Sequence, residues 1–153
     1  DPAPGSSFAM KYLLDTCVIS ELIRKAPNAR VVAWIDGLYD PEVYLSVITI
    51  GEIKRGAERL PESERKYAIL EWLENDLFFR FERRILPIDA AVMLTWGRLV
   101  ATLEQRGRPL PAFDSLIAAT ALSNKLTLAT RNVEDFADTG VPIFNPWTDA
   151  DSR

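Results

Sequence analysis

This chain has no histidine and a single cysteine, Cys17, in 153 residues. The missing imidazoles exclude His-based triads, His general bases and zinc sites that need a ring nitrogen. One thiol excludes Cys-rich zinc centres and any internal disulfide, and it is compatible with a reducing compartment such as the cytoplasm. A metal bound here would be held by oxygens, which favours magnesium or manganese. Positive charge is also short: 18 Lys and Arg against 22 Asp and Glu give a net charge of −4. That argues against a surface coated for nucleic acid, but it leaves room for a local basic rim beside an acidic pocket. No apolar run approaches the roughly 18 residues that span a bilayer, so no membrane partner is expected. No signal peptide is visible.

What is present suits one globular domain. The chain is 48% hydrophobic and 26% charged, enough to bury a core. Residues 1–9 read as a cloning scar or flexible lead, with Met10 the expected natural start. Residues 10–147 read as the domain and 148–153 as a tail.

Residues 11–15 form a short buried strand in this reading, and 17–25 a helix closed by Pro27. Asn28 caps a helix with Val31, Trp34, Ile35 and Leu38 at helical spacing. Residues 43–45 are a second strand. Ser46 then caps a helix to about Leu60 with Ile50, Ile53, Ala57 and Leu60 as its stripe. Tyr67, Leu70, Leu73 and Leu77 mark the next helix, through about residue 79. Residues 84–88 are a strand, with Pro87 suggesting an edge. Asp89 caps a long helix bearing Val92, Trp96, Leu99, Val100 and Leu103. A helix follows Pro111 and ends near Asn124. Residues 126–130 are a strand, 133–139 a helical turn and 141–144 a last edge strand. Strands alternating with helices imply an α/β fold of three layers: a central parallel sheet of four to five strands with helices on both faces.

The acids sit at telling places in that fold. Asp15 closes the first strand, and open α/β sheets bind ligands beyond the carboxyl ends of their strands. Glu52 lies on the helix after strand two, away from its apolar stripe. Asp114 lies in the first turn of the helix before residues 126–130, and Asp135 follows that strand. Each has a bland alternative. Asp15 can cap the helix after it, Glu52 can pair with Arg55 and Arg59, Asp114 can favour a helix dipole, and Asp135 can be a loop residue. Together they could converge at one sheet edge. Such a cluster repels itself unless a divalent cation neutralises it, and a metal-bound water could then attack a phosphodiester.

At these residues the chain closely resembles the PIN-domain family, in particular its VapC-type and FitB-like toxins. The matching stretches are Leu13-Leu14-Asp15-Thr16-Cys17-Val18-Ile19-Ser20, Leu45-Ser46-Val47-Ile48-Thr49-Ile50-Gly51-Glu52 and Asp114-Ser115-Leu116-Ile117-Ala118-Ala119-Thr120-Ala121. Leu128-Ala129-Thr130-Arg131-Asn132 with Asp135-Phe136, and the tail Phe144-Asn145-Pro146-Trp147, complete the series. The resemblance implies a PIN-like fold and the toxin of a type II toxin-antitoxin system. It implies a Mg²⁺- or Mn²⁺-dependent endoribonuclease that cuts single-stranded RNA, works as a homodimer and is held by a VapB-like antitoxin. It makes Asp15 and Asp114 the metal ligands and Glu52 the third acid. Many relatives carry an acid where this chain has Asn132; either its carbonyl oxygen or Asp135 would complete the site. Thr16 and Ser115 would orient waters or phosphate, or cap helices. Lys54, Arg55 and Arg131 are RNA-binding candidates, with Arg24, Lys25 and Arg59 behind them. The alternatives are a catalytically silent module that reaches operator DNA only through its antitoxin complex, and a phosphotransfer fold using Asp15 as nucleophile. The second lacks an acid at Cys17 and a lysine at Arg131.

Overall fold

The structure is a computed structural model and describes residues 10–149. The expected lead at 1–9 and the end of the tail, 150–153, lie outside the described residues. The sheet is parallel throughout, in the order β3-β2-β1-β4-β5. Its strands are β1 (Tyr12–Leu14), β2 (Val43–Ser46), β3 (Ile85–Leu86), β4 (Thr127–Ala129) and β5 (Ile143–Phe144). Helices α1 (Thr16–Leu22) and α2 (Ala29–Asp36) connect β1 to β2. Helices α3 (Val47–Glu58) and α4 (Glu64–Glu71) connect β2 to β3. Helices α5 (Ala90–Gln105) and α6 (Ala112–Ser123) connect β3 to β4. A 3₁₀ turn, Ala137–Thr139, precedes β5.

The period of two along β1 splits the core into its two halves. Tyr12 and Leu14 face α1 to α4, where Val18, Ile19, Trp34, Ile53 and Leu77 are buried with them. Leu13 faces α5 and α6, among Val92, Leu103, Ile117 and Leu128. This is the expected three-layer arrangement, with five strands. The expected caps form as well: Asn28, Ser46 and Asp89 each accept a backbone N–H from the first turn of their helix. The 3₁₀ turn and the two-residue strands β3 and β5 fall within the expected ranges but are shorter. Among the described residues no helix is long and apolar enough to cross a membrane.

One expected helix face holds at Leu73 and Leu77 but not in its first turn. Tyr67 is 55% exposed, whereas Ile69, Leu73, Leu77 and Phe81 are buried. Those four recur every fourth residue, a spacing that drifts by about 40° per step around an α-helix. After α4 the chain continues as a π-helix over Trp72–Leu77 and a last α-turn over Phe78–Arg80. The wider π turn keeps Leu73, Leu77 and Phe81 on the sheet side.

Chain order places the site. From β1 the chain first builds outward to β2 and β3, then returns to place β4 and β5 on the other side of β1. The switch point is therefore the cleft between the carboxyl ends of β1 and β4. Helix α6 reaches β4 through a tight turn in which Leu126 N–H donates to Ala121 O at 2.9 Å and Lys125 takes φ +58°. That left-handed closure turns α6 back along β4, so its first turn stands over the switch point.

The π register is testable. Leu77→Ala should cost about 2–5 kcal/mol of unfolding free energy, while Leu70→Ala, at a half-buried position, should cost clearly less. Urea denaturation of both variants measures the difference; equal losses would contradict the register.

Candidate active site

Asp15 lies one residue beyond β1 and is 4% exposed. Its Oδ1 accepts the Thr16 N–H at 2.8 Å, so it does cap α1. Its Oδ2 accepts the hydroxyl of Thr130, just past β4, at 2.7 Å. The Asp15 N–H also donates to Ala129 O at 2.9 Å, stitching the two strand ends together. Burial pushes the Asp15 carboxyl above its usual 3.8; the bonds from Thr130, Thr16 and Cys17 oppose the shift and the charge of Glu52 adds to it.

Glu52 reaches the same cleft from α3. It accepts the Thr16 hydroxyl at 2.5 Å. Thr16 Oγ1 also lies 2.9 Å from Thr49 Oγ1. With the single Thr16 proton given to Glu52, Thr49 must donate to Thr16. Thr49 is fully buried one turn before Glu52, so α3 sets the position of its own acid through a neighbouring helix. Asp114, in the first turn of α6, has no hydrogen-bond or ion-pair partner among the described residues. Burial raises its carboxyl, and the charges of Asp15, Glu52 and Asp135 raise it further. Asp15, Thr16, Glu52, Asp114 and Asn132 line a single cleft of about 440 Å³, as do Arg24 and Arg131.

The other expected residues divide. Asn132 lines the cleft, and its backbone N–H donates to Thr130 Oγ1 at 3.0 Å. Asp135 is exposed and stands beside Asp114 in the adjoining groove, close enough to act on its charge. Ser115 is 1% exposed and turned inward: its hydroxyl donates to Ala112 O at 2.7 Å and accepts from Trp96 Nε1 at 2.8 Å. The first bond stays within α6 and the second ties α6 to α5. Lys54 is paired with Glu74 at 2.8 Å and Glu58 at 3.1 Å, and neither it nor exposed Arg55 lines the cleft.

Sequence reasoning missed Thr130 and Thr49, the two buried hydroxyls that orient Asp15 and Thr16. Their only signals were a threonine at a strand's carboxyl end and one three residues before Glu52. It also missed Glu21, buried beside the cleft at 3% exposure. Cys17, next to Asp15, is a protonated thiol at neutral pH: burial and the Asp15 charge push it up to about 11.

The donor set suits a hard divalent cation. It offers carboxylate and hydroxyl oxygens, no imidazole, and a thiol that stays protonated. Among the described residues no group of three acids is gathered tightly enough to hold a metal by itself. Magnesium needs only one or two direct carboxylates and keeps several waters.

The PIN domain model matches residues 12–142. Toxin FitB of Neisseria gonorrhoeae is 42% identical over 137 residues, covering 90% of this chain and 99% of that protein. VapC ribonuclease Y4jK of Sinorhizobium fredii is 35% identical over 138 residues, 90% of this chain and 99% of its own length. The structure of FitAB bound to an IR36 DNA fragment superimposes with a TM-score of 0.84 at 40% identity, covering 89% of this chain and 95% of that one. A domain of this topology with acids at the β1/β4 switch point is a PIN domain, and this chain belongs to that family, on its VapC/FitB toxin branch.

Burial, with mutual repulsion added to it, gives these carboxyls a pH signature. A carboxyl raised in the folded state binds its proton before the unfolded chain does. The contribution of these two carboxyls to folded stability therefore rises as pH falls through their raised values, and it is complete near the ordinary 3.8. With a chelator present, Asp114→Asn should melt above the unmodified protein at about pH 7. Its advantage should shrink as pH falls toward 3.8. An advantage that stays constant from neutral to acid pH would show that repulsion is not its source.

Proposed function

We propose that this protein is the ribonuclease toxin of a type II toxin-antitoxin pair and that it hydrolyses single-stranded RNA at this cleft. The observation that carries the reading is the convergence of Asp15, Glu52 and Asp114 at the switch point, with burial and mutual charge raising Asp15 and Asp114. An arrangement that penalises its own ionisation is costly for a silent module and useful for one that recruits a cation. Asp15 and Asp114 are assigned as ligands of Mg²⁺, with Mn²⁺ as a substitute. Bound there, the ion would neutralise the carboxylates, polarise the phosphodiester and ease ionisation of a water.

The remaining groups have protein roles. Thr130 and the Thr16 N–H fix the Asp15 carboxylate, and Thr49 through Thr16 fixes Glu52. Glu52 takes the proton of the attacking water. Asn132 and Asp135 frame the open side, where either supplies the last oxygen. Arg131 meets the RNA backbone. Lys54, tied to two glutamates, is not retained in that role.

The partner is a VapB-like antitoxin. Its relatives' association with DNA in the FitAB complex supports operator binding by the complex, with the DNA contacts coming from the antitoxin because this chain carries −4. Exposed Met93 and Leu94 on α5 and Phe113 on α6, two helices that pack together, support a homodimer. A free thiol and an RNA substrate both suit the cytoplasm.

The test is cleavage of single-stranded RNA with Mg²⁺ or Mn²⁺. Asp15→Asn and Asp114→Asn should each lower the rate by about 100-fold or more with the fold intact by circular dichroism. Full activity in Asp114→Asn would sink the mechanism. A larger loss in Asp135→Asn than in Asn132→Ala would assign the fourth position to Asp135, and the reverse to Asn132.

A further inference from the structure

Beside the acids, the same cleft carries two arginines, Arg24 and Arg131. Each is held by a different anchor. Arg24 Nη1 lies 3.2 Å from Glu21 Oε1 and 3.3 Å from Oε2, and the Glu21 side chain is only 4% exposed. Glu21 is itself fixed by the Asn28 N–H, which donates to Oε2 at 2.7 Å. Burial opposes the Glu21 charge, but the Asn28 N–H, Arg24 and Arg131 outweigh it and hold the carboxyl below its ordinary value. Arg131, past β4, places its Cζ over the Trp147 ring, 4.7 Å from the centroid. Trp147 is buried and its backbone is fixed: it is 7% exposed, its backbone N–H donates to Asn145 Oδ1 at 2.9 Å, and its carbonyl accepts Arg30 Nη1 at 2.9 Å.

A bland role exists for Arg24: a buried carboxylate needs a counter-charge. That role uses one nitrogen. The Arg24 side chain remains 61% exposed, and Nε and Nη2 are not needed by Glu21. The cation–π contact with Trp147 likewise engages the charge of Arg131 without a hydrogen-bond acceptor, which leaves its N–H donors for a ligand. Fixed guanidinium forks lose little entropy on binding and match phosphate oxygens two at a time.

We propose that Arg24 and Arg131 form a phosphate grip on one wall of the cleft. They would hold the RNA backbone next to the bond presented to Asp15, Glu52 and Asp114, with Glu21 and Trp147 as their positioning residues. The inference rests on the ribonuclease reading above, and it names where that substrate's flanking phosphates bind. It also explains how an acidic protein engages RNA: two anchored cations sit at the site, and no broad basic surface is needed.

The test uses Asp114→Asn protein, whose slowed cleavage should leave the RNA intact over the measurement, and a labelled single-stranded RNA of mixed sequence read by fluorescence anisotropy over a salt series. Arg24→Gln and Arg131→Gln should each weaken binding and flatten the plot of log affinity against log salt by about 0.7, and both together by about 1.4. Trp147→Leu should weaken binding as Arg131→Gln does, have no further effect when Arg131 is already Gln, and be largely rescued in Trp147→Phe. If Trp147→Leu fails to fold, the Trp147→Phe and Arg131→Gln comparison carries the positioning role. An unchanged salt slope in the doubly substituted protein overturns the grip while RNA cleavage by the unmodified protein still stands. Trp147→Leu acting equally with and without Arg131 overturns the positioning role. No binding by the Asp114→Asn protein, with no cleavage by the unmodified one, overturns both this inference and the ribonuclease reading.

Discussion

The hydrogen bond from Thr130 to the buried carboxylate of Asp15, 2.7 Å long, joins the two strand ends at the point where the sheet reverses its order. Almost everything else in the site is placed relative to it. The same threonine oxygen receives the Asn132 N–H and so sets the loop that closes the cleft. Arg131, between them, is carried to the rim. Burial raises the Asp15 carboxyl, 4% exposed, and the donors that meet it favour its charged form against that burial.

The fold brings together charges that repel. Helices α3 and α6 and the strand end of β1 belong to segments far apart in the chain, and each delivers one acid to the cleft. The hydrophobic cores on the two faces of the sheet hold them there. Fully buried Leu13 and Leu14 point to opposite faces and fix β1 between both helical layers, which fixes Asp15 in depth. Stability that packing supplies is thus partly spent on an arrangement that favours a divalent cation, a pattern common at functional sites.

Much of this was readable in the sequence because it depends on local signals. Strand-ending acids, N-capping residues at Asn28, Ser46 and Asp89, and punctuation by Pro27, Pro61 and Pro111 act over a few residues. The cleft lining at Asp15, Glu52 and Asp114 followed from topology, once alternation of strands and helices implied a parallel sheet. The failures have a common cause. The face of α4 depends on the π-helical stretch that follows it, and nothing within a few residues favours Ile69 over Tyr67 until that stretch sets the register. For Lys54, the i+4 partner Glu58 was legible in the sequence, but the closer one, Glu74, is 20 residues away. Thr130 and Thr49 looked like ordinary threonines because a hydroxyl shows its purpose only through the buried acid it meets. Ser115 misled for the reverse reason: its place beside Asp114 in sequence suggested the cleft, and a helix turns neighbours by about 100°.

The most direct measurement is a Mn²⁺ titration followed by calorimetry, comparing the unmodified protein with Asp15→Asn and Asp114→Asn. If the two carboxylates hold one ion between them, the unmodified protein shows a single site and each substitution weakens it about tenfold or more. Equal affinity in all three proteins would mean that the acids at the switch point are not a metal site, and the hydrolytic reading would fall with it.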